Sequence, residues 1–106
     1  MINPQMKKGL VEVCILSVLQ RGDSYGYKMI KDLSEYIKLS ESTLYPILRR
    51  LESSGCLRVY TVEHNSRLRK MYQLTSEGTK QIKEFLVGWE EIEAIYQYIK
   101  EGIRDE

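Results

Sequence analysis

The 106-residue sequence predicts a mainly α fold with a small β-hairpin. Three observations predict it. Apolar residues recur at helical spacing through the first half of the chain, in runs separated by turn residues. The period then changes over residues 57–74, where two stretches rich in Val, Tyr and Thr flank a polar tip. From Ile82 to Ile103 a heptad of apolar residues follows.

The first helix opens at Asn3-Pro4, where Asn suits the cap and proline the first helical position. Leu10, Val11, Val13, Cys14, Ile15, Leu16, Val18 and Leu19 surround this helix almost completely, so it is expected to be buried on several sides. Gly22 ends it and Asp23-Ser24 are expected to cap the next. A second helix is expected over residues 25–37, with Met29, Ile30, Leu33, Tyr36 and Ile37 on one face. After the turn Lys38-Leu39-Ser40, a third helix capped by Ser40 runs to about Ser54. Its leucines and Ile47 face inward, and Gly55 is the left-handed stop. Two helices joined by so short a turn form a helix-turn-helix. The stretches 57–63 and 68–74, separated by His64-Asn65-Ser66-Arg67, read as a hairpin directly after it. Together these make a winged helix-turn-helix over residues 1–74.

Thr75 caps the last helix, which occupies 75–106 and joins the same compact unit. Ile82, Phe85, Trp89, Ile92, Tyr96, Ile99 and Ile103 follow one another in alternating steps of three and four. At about 1.5 Å per residue such a helix is roughly 42 Å long, more than the remaining chain can cover. The seam therefore needs a partner, and a second copy is the simplest. The expected homodimer interface is Phe85, Trp89, Ile92, Tyr96 and Ile99.

Composition narrows the function. Hydrophobic residues at 42% and charged residues at 29% are the proportions of a folded domain and not of a disordered chain. The longest apolar run, Val13-Cys14-Ile15-Leu16, is too short to span a membrane, and no signal-peptide pattern opens the chain, so a cytoplasmic location is expected. Cys14 and Cys56 stand alone, as expected for two buried reduced thiols and not for a disulfide framework or zinc site. The net charge of +1 hides an asymmetry: residues 1–83 hold 14 Lys and Arg against 8 Asp and Glu, whereas residues 84–106 hold 2 against 7. A basic portion suited to a polyanion precedes an acidic one. No phosphate loop, metal-ligand cluster or nucleophile motif is present, and the lone histidine, His64, lies at a turn, so no enzyme and no cofactor are expected.

On the third helix, Ser42, Tyr45, Pro46 and Arg49 share the face opposite the leucines, with Thr43 and Arg50 beside them. Hydroxyls and a guanidinium fit phosphate oxygens and base edges in a major groove. A solvated helix surface is the plainer reading, against which Pro46 breaks a local helix rule. Arg67, Arg69 and Lys70 make the hairpin basic, and Tyr25, Tyr27 and Lys28 open the second helix, where free amides attract phosphate. The expected DNA-contacting set is therefore Tyr25, Tyr27, Lys28, Ser42, Thr43, Tyr45, Arg49, Arg67, Arg69 and Lys70. Trp89 lies midway along the seam, where a two-fold axis would bring it near its own copy. It reads either as dimer core or as a slot for a planar aromatic effector, with Glu93 adding negative charge.

Several of these residues resemble one family. Gly26-Tyr27, the run from Ser42 to Glu52 with Gly55, the run from Arg69 to Thr75, and Gly78 are similar to the PadR-like transcriptional regulators, over about Leu10 to Gly78. Thr43-Leu44-Tyr45-Pro46 is the most specific part. The single last helix resembles the short second subfamily, and Trp89 falls 14 residues after Thr75, as in its multidrug-binding members. The resemblance implies a homodimeric repressor whose third helix reads double-stranded DNA and whose paired tryptophans hold planar aromatic effectors. It gives Ser42, Thr43 and Tyr45 a base- or phosphate-contacting role and residues 67–70 a wing role. The tip departs from the pattern, reading His-Asn-Ser-Arg-Leu-Arg where many relatives have glycine and arginine, and Met71 stands where an aromatic is frequent. The expected function is a sequence-specific transcriptional regulator, a repressor released by an effector at the dimer interface. The alternative is a winged-helix ligand-binding or protein-interaction module without specific DNA binding.

Overall fold

A computed structural model describes residues 4–104, with side chains from residue 9 onward. The order is α1 (Pro4–Gln20), α2 (Gly26–Leu33), α3 (Glu41–Ser53), β1 (Leu57–His64), β2 (Arg67–Leu74) and α4 (Ser76–Arg104). This is the expected winged helix-turn-helix followed by one long helix. The Asn3 cap lies outside the described residues.

α1 is the centre of the core. Ile15 and Leu16 are fully enclosed, and Val11 and Leu19 are buried with them. Met29 and Leu33 of α2, Leu44, Ile47, Leu48 and Leu51 of α3, Leu57 and Tyr72 of the hairpin, and Ile82 of α4 complete the cluster. Burying a Leu or Ile side chain contributes about 1.5–3 kcal/mol, so this helix holds the elements together. Cys56 is buried as expected and its Sγ donates to Gln81 Oε1 at 2.9 Å. Cys14 is only half-buried, because its side of α1 borders an open groove with Val18 and Arg21; burial still pushes its thiol pKa up.

α3 follows its sequence signals closely. The Ser40 Oγ accepts from the Thr43 amide, Glu41 lies in the first turn, and Gly55 takes φ 81° after the helix ends. That conformation is disfavoured for any residue with a Cβ. α2 is shorter than expected. It stops at Leu33, where the Ser34 hydroxyl donates back to the Lys31 carbonyl, a local bond that competes with a further turn. Tyr36 therefore leaves the apolar face and is exposed.

The expected cap of α2 by Asp23-Ser24 is also replaced. Tyr25 is the cap residue and its side chain makes no capping bond. Ser24 instead exchanges two backbone hydrogen bonds with Tyr72, at 3.1 and 2.8 Å, and so adds a one-residue third strand along the outer edge of β2. The Asp23 carboxylate accepts from Tyr60 Oη on β1 at 2.6 Å and from Gln73 Nε2 on β2 at 3.3 Å. The loop before α2 thus ties down both strands of the wing.

β1 and β2 are antiparallel, in register from Leu57 opposite Leu74 to His64 opposite Arg67. The turn between them consists of Asn65 (φ 52°) and Ser66 (φ 64°). Two successive left-handed residues make the tight turn whose twist matches that of the strands. At the other end, the Thr75 Oγ1 accepts from the Gly78 amide, which is the cap expected for α4. Only the start of α4 enters the core. Beyond Ile82 the seam is progressively uncovered, from 39% exposed at Trp89 to 71% at Ile103. With α4 projecting, the molecule is 66 Å long but only 26 by 21 Å across.

The Tyr60–Asp23 bond makes a pH-dependent clasp. The bond to Asp23, with burial and the carboxylate's charge adding to it, raises the Tyr60 pKa above the ordinary tyrosine value. A group whose folded pKa is raised stabilises the fold below its unfolded pKa and stops doing so as pH rises through the folded one. Tyrosine ring-carbon NMR titration is expected to show Tyr60 ionising late. In Asp23→Asn its pKa falls toward the ordinary value while that of Tyr72 stays raised; an unmoved Tyr60 would refute the clasp.

Candidate nucleic-acid interface

The outer face of α3 begins at its cap. The Ser40 hydroxyl lies 2.9 Å from Ser42 Oγ and donates to Thr43 Oγ1 at 3.1 Å, so three hydroxyls cluster at the exposed helix start. Pro46 lies inside α3, which continues unbroken from Glu41 to Ser53. Having no amide, Pro46 leaves the Ser42 carbonyl without its usual i+4 donor. Arg49 is exposed one turn further on. Tyr45 is half-buried instead of solvated. Its phenol lies so close to Gly26 that an added Cβ would clash with the hydroxyl oxygen, and only glycine there admits the ring.

The phenol marks the inner wall of a broad cleft between α2, α3 and the hairpin. Tyr25 and Tyr27 line one side, and Arg67, Arg69 and Lys70 the other, with His64 and Leu68 near the tip. The Arg69 guanidinium stacks over the Tyr25 ring, 3.9 Å from its centroid. A cation–π contact of this kind contributes roughly 0.5–1 kcal/mol when exposed. It holds an arginine beside the start of α2, whose cap residue leaves the first amides without a side-chain acceptor. A second, smaller groove continues along α3, where Arg49 and Glu52 join Tyr45, Lys70, Tyr72 and Val59. Tyr45, Lys70 and Tyr72 line both grooves. Burial pushes the Tyr72 phenol pKa up, Tyr45 and Glu52 add to the shift, and Arg49 opposes it. A protonated phenol thus sits below a surface whose cations come from α3 and β2.

This winged-helix arrangement is shared with known proteins. The family model for the transcriptional regulator PadR-like family matches residues 15–84. The chain belongs to this family. A PadR-like transcription factor from Bacteroides fragilis is 34% identical, with 90% of this chain and 94% of that one covered and a TM-score of 0.80. A transcriptional regulator from Clostridium thermocellum is 33% identical, covering 88% and 95%, with a TM-score of 0.78. The negative transcriptional regulator PadR of Bacillus subtilis is 26% identical over 92% of this chain but only 52% of its own length. The structure of Bacillus subtilis PadR in complex with operator DNA has the same fold, at 24% identity and a TM-score of 0.66. This PadR-like chain is a transcriptional regulator, and no helix among its described residues is long and apolar enough to cross a membrane.

The structure brings Tyr25, Tyr27, Tyr45, Arg67, Arg69 and Lys70 of the expected set into one cleft and places Arg49 in the adjoining groove. Ser42 and Thr43 are exposed at the start of α3. Lys28 faces a different groove and pairs with Asp32 at 3.1 Å. Arg50 is turned away and paired with Glu12 of α1. On α4, the Phe85 and Trp89 rings are stacked with centroids 6.1 Å apart at 19°, and Glu93 is exposed, accepting from Gln97 at 3.5 Å. Gly26, Asp23 and Glu12 position the surface; the sequence marked Gly26 only by family resemblance, Asp23 only as a helix cap, and Glu12 not at all. Each acts on a residue at least 19 positions away, which no local pattern reports.

Proposed function

We propose that this PadR-like regulator is a dimeric repressor that binds double-stranded DNA sequence-specifically. α3 enters the major groove with Ser42, Thr43 and Arg49 toward base edges or phosphates. Tyr25, Tyr27, Tyr45, Arg67, Arg69 and Lys70 hold the flanking backbone, while Lys28, in another groove and paired with Asp32, stands outside this surface. The observation that carries this reading is the sharing of Tyr45 and Lys70 between the wing cleft and the Arg49 groove. Cations of the wing and the exposed face of α3 thereby open on one continuous surface, the footprint expected for a duplex. The repressing sense is supported by the name of Bacillus subtilis PadR, a negative regulator with a structure on operator DNA.

The test is binding of the chain to duplexes tiling the DNA upstream of its own gene, read by fluorescence anisotropy at near-physiological salt. Arg49→Ala is expected to weaken specific binding by about 1–3 kcal/mol and random-sequence binding little. Equal losses on both would make Arg49 a phosphate contact, and no preference for any upstream duplex would overturn the reading.

The dimer is formed by α4, through Phe85, Trp89, Ile92, Tyr96 and Ile99. A single chain leaves the seam uncovered, and a second copy buries it by the same residues. Ile99→Glu is expected to give a monomer by sedimentation equilibrium with loss of specific DNA binding. An unchanged dimer would remove α4 as its seat.

The stacked Phe85–Trp89 pair supports a planar aromatic effector at this interface, with Glu93 favouring a cationic one. An effector acts only by preferring one arrangement of the two α3 helices. Trp89 is the only tryptophan, so titration with planar aromatic compounds should quench its emission and release DNA in parallel. Constant emission across a varied panel leaves Trp89 as dimer core.

A further inference from the structure

Arg49 and Arg50 are neighbours on α3, but a helix turns about 100° per residue and the two side chains leave in different directions. Arg49 is exposed beside the Tyr72 groove. Arg50 reaches back across the core to α1, where its Nε and Nη2 both donate to one oxygen of Glu12, at 3.0 and 2.6 Å. Glu12 is only 18% exposed and Arg50 44%. Two donors on one carboxylate oxygen fix orientation as well as distance. The carboxylate is set into the helix that contributes Val11, Ile15 and Leu16 to the core and packs on the base of α4 through Ile82.

We infer that Arg50 is a positioning residue for DNA recognition, a strut that sets the roll of α3 against α1, and that it makes no DNA contact of its own. The inference rests on the DNA reading above. A partly exposed pair adds little to global stability, so its effect here lies in geometry. Leu44, Ile47, Leu48 and Leu51 join α3 to the core by apolar contacts that favour no single roll, and the Arg50–Glu12 pair adds a directional contact between α3 and α1. In a dimer the same tilt occurs in both copies, and a small roll displaces both reading heads relative to successive grooves.

Glu12→Gln separates this assignment from the obvious alternative, because the two predict opposite signs. If Arg50 contacted phosphate, removing Glu12 would free it, raise the net charge by one and tighten binding. As a strut, Glu12→Gln weakens binding to the preferred upstream duplex by roughly threefold to tenfold despite the gained charge, as expected for a residue acting through another. Arg50→Gln weakens it equally, the double variant is no worse than either single one, and exchanging the two residues (Glu12→Arg with Arg50→Glu) restores much of the loss. Because the strut neutralises no phosphate, the slope of log affinity against log salt stays at the wild-type value in Arg50→Gln, whereas loss of a phosphate contact reduces it by about 0.9. Random-sequence affinity and thermal midpoint serve as controls. Tighter binding in Glu12→Gln, a shallower salt slope in Arg50→Gln, or no change in either variant overturns the strut. If Arg50→Gln does not fold, Glu12→Gln and the exchanged pair decide alone. A wild-type chain without sequence preference would remove the DNA reading, and the strut's role with it.

Discussion

The arrangement of this surface depends on the backbone pairing of Ser24 with Tyr72. A two-stranded ribbon is only marginally stable by itself, and its position relative to a helix is otherwise set by a few side chains. Here the loop ahead of α2 adds itself to β2, and Asp23 takes one hydrogen bond from each strand. The ribbon is thereby held at the N-terminal end of α2, with Arg69 over Tyr25 and the Tyr45 phenol against Gly26. That attachment acts together with the burial of Leu57 and Tyr72 to fix the cations of β2 beside the face of α3. The two then form one surface.

What could be read from the sequence was whatever a short stretch encodes by itself. Ser40 and Gly55 bound α3 by capping chemistry and a left-handed residue, and both appear where expected. Asn65-Ser66 defines the tip by backbone conformation, and the steps of three and four along α4 need no knowledge of the rest. The misreadings arose where distant residues compete for a local group. Asp23 carries a good capping side chain, but Tyr60 and Gln73, 37 and 50 residues away, claim it, and Tyr72 engages Ser24 through the backbone. Tyr36 continues a helical pattern that Ser34 ends with a single hydroxyl bond. Arg50 reads as a companion of Arg49, and only the position of Glu12, 38 residues earlier, separates their roles. Of the grouped surface, the residue types and the basic character were legible. The partition into cleft, groove and strut was not, since it depends on packing.

α4 shows the opposite balance between chain and environment. Its start is fixed by Thr75 and by Ile82 in the core, while beyond Ile82 its side chains interact mainly with one another, as Phe85 does with Trp89. Exposed apolar residues at seven-residue periodicity are costly to leave in water, and the acidic residues between them keep such a helix soluble and discourage arbitrary association. Positive charge is in excess over residues 1–83 and negative charge over residues 84–106, so the long arm carries negative charge away from the basic surface.

The attachment of β2 at Tyr72 also separates the ribbon's footing from its reach. Arg69 and every residue below it are registered by pairing near the base, and the two-residue tip lies beyond that registered segment. Residue pairs can be gained or lost at the far end, one on each strand, without turning Arg69 to the opposite side of the ribbon, whereas a single insertion between Arg69 and Tyr72 would do so at once. The length of the wing beyond Arg69 is therefore separable from the side on which Arg69 points, whereas the number of residues between Arg69 and Tyr72, namely Lys70 and Met71, is not.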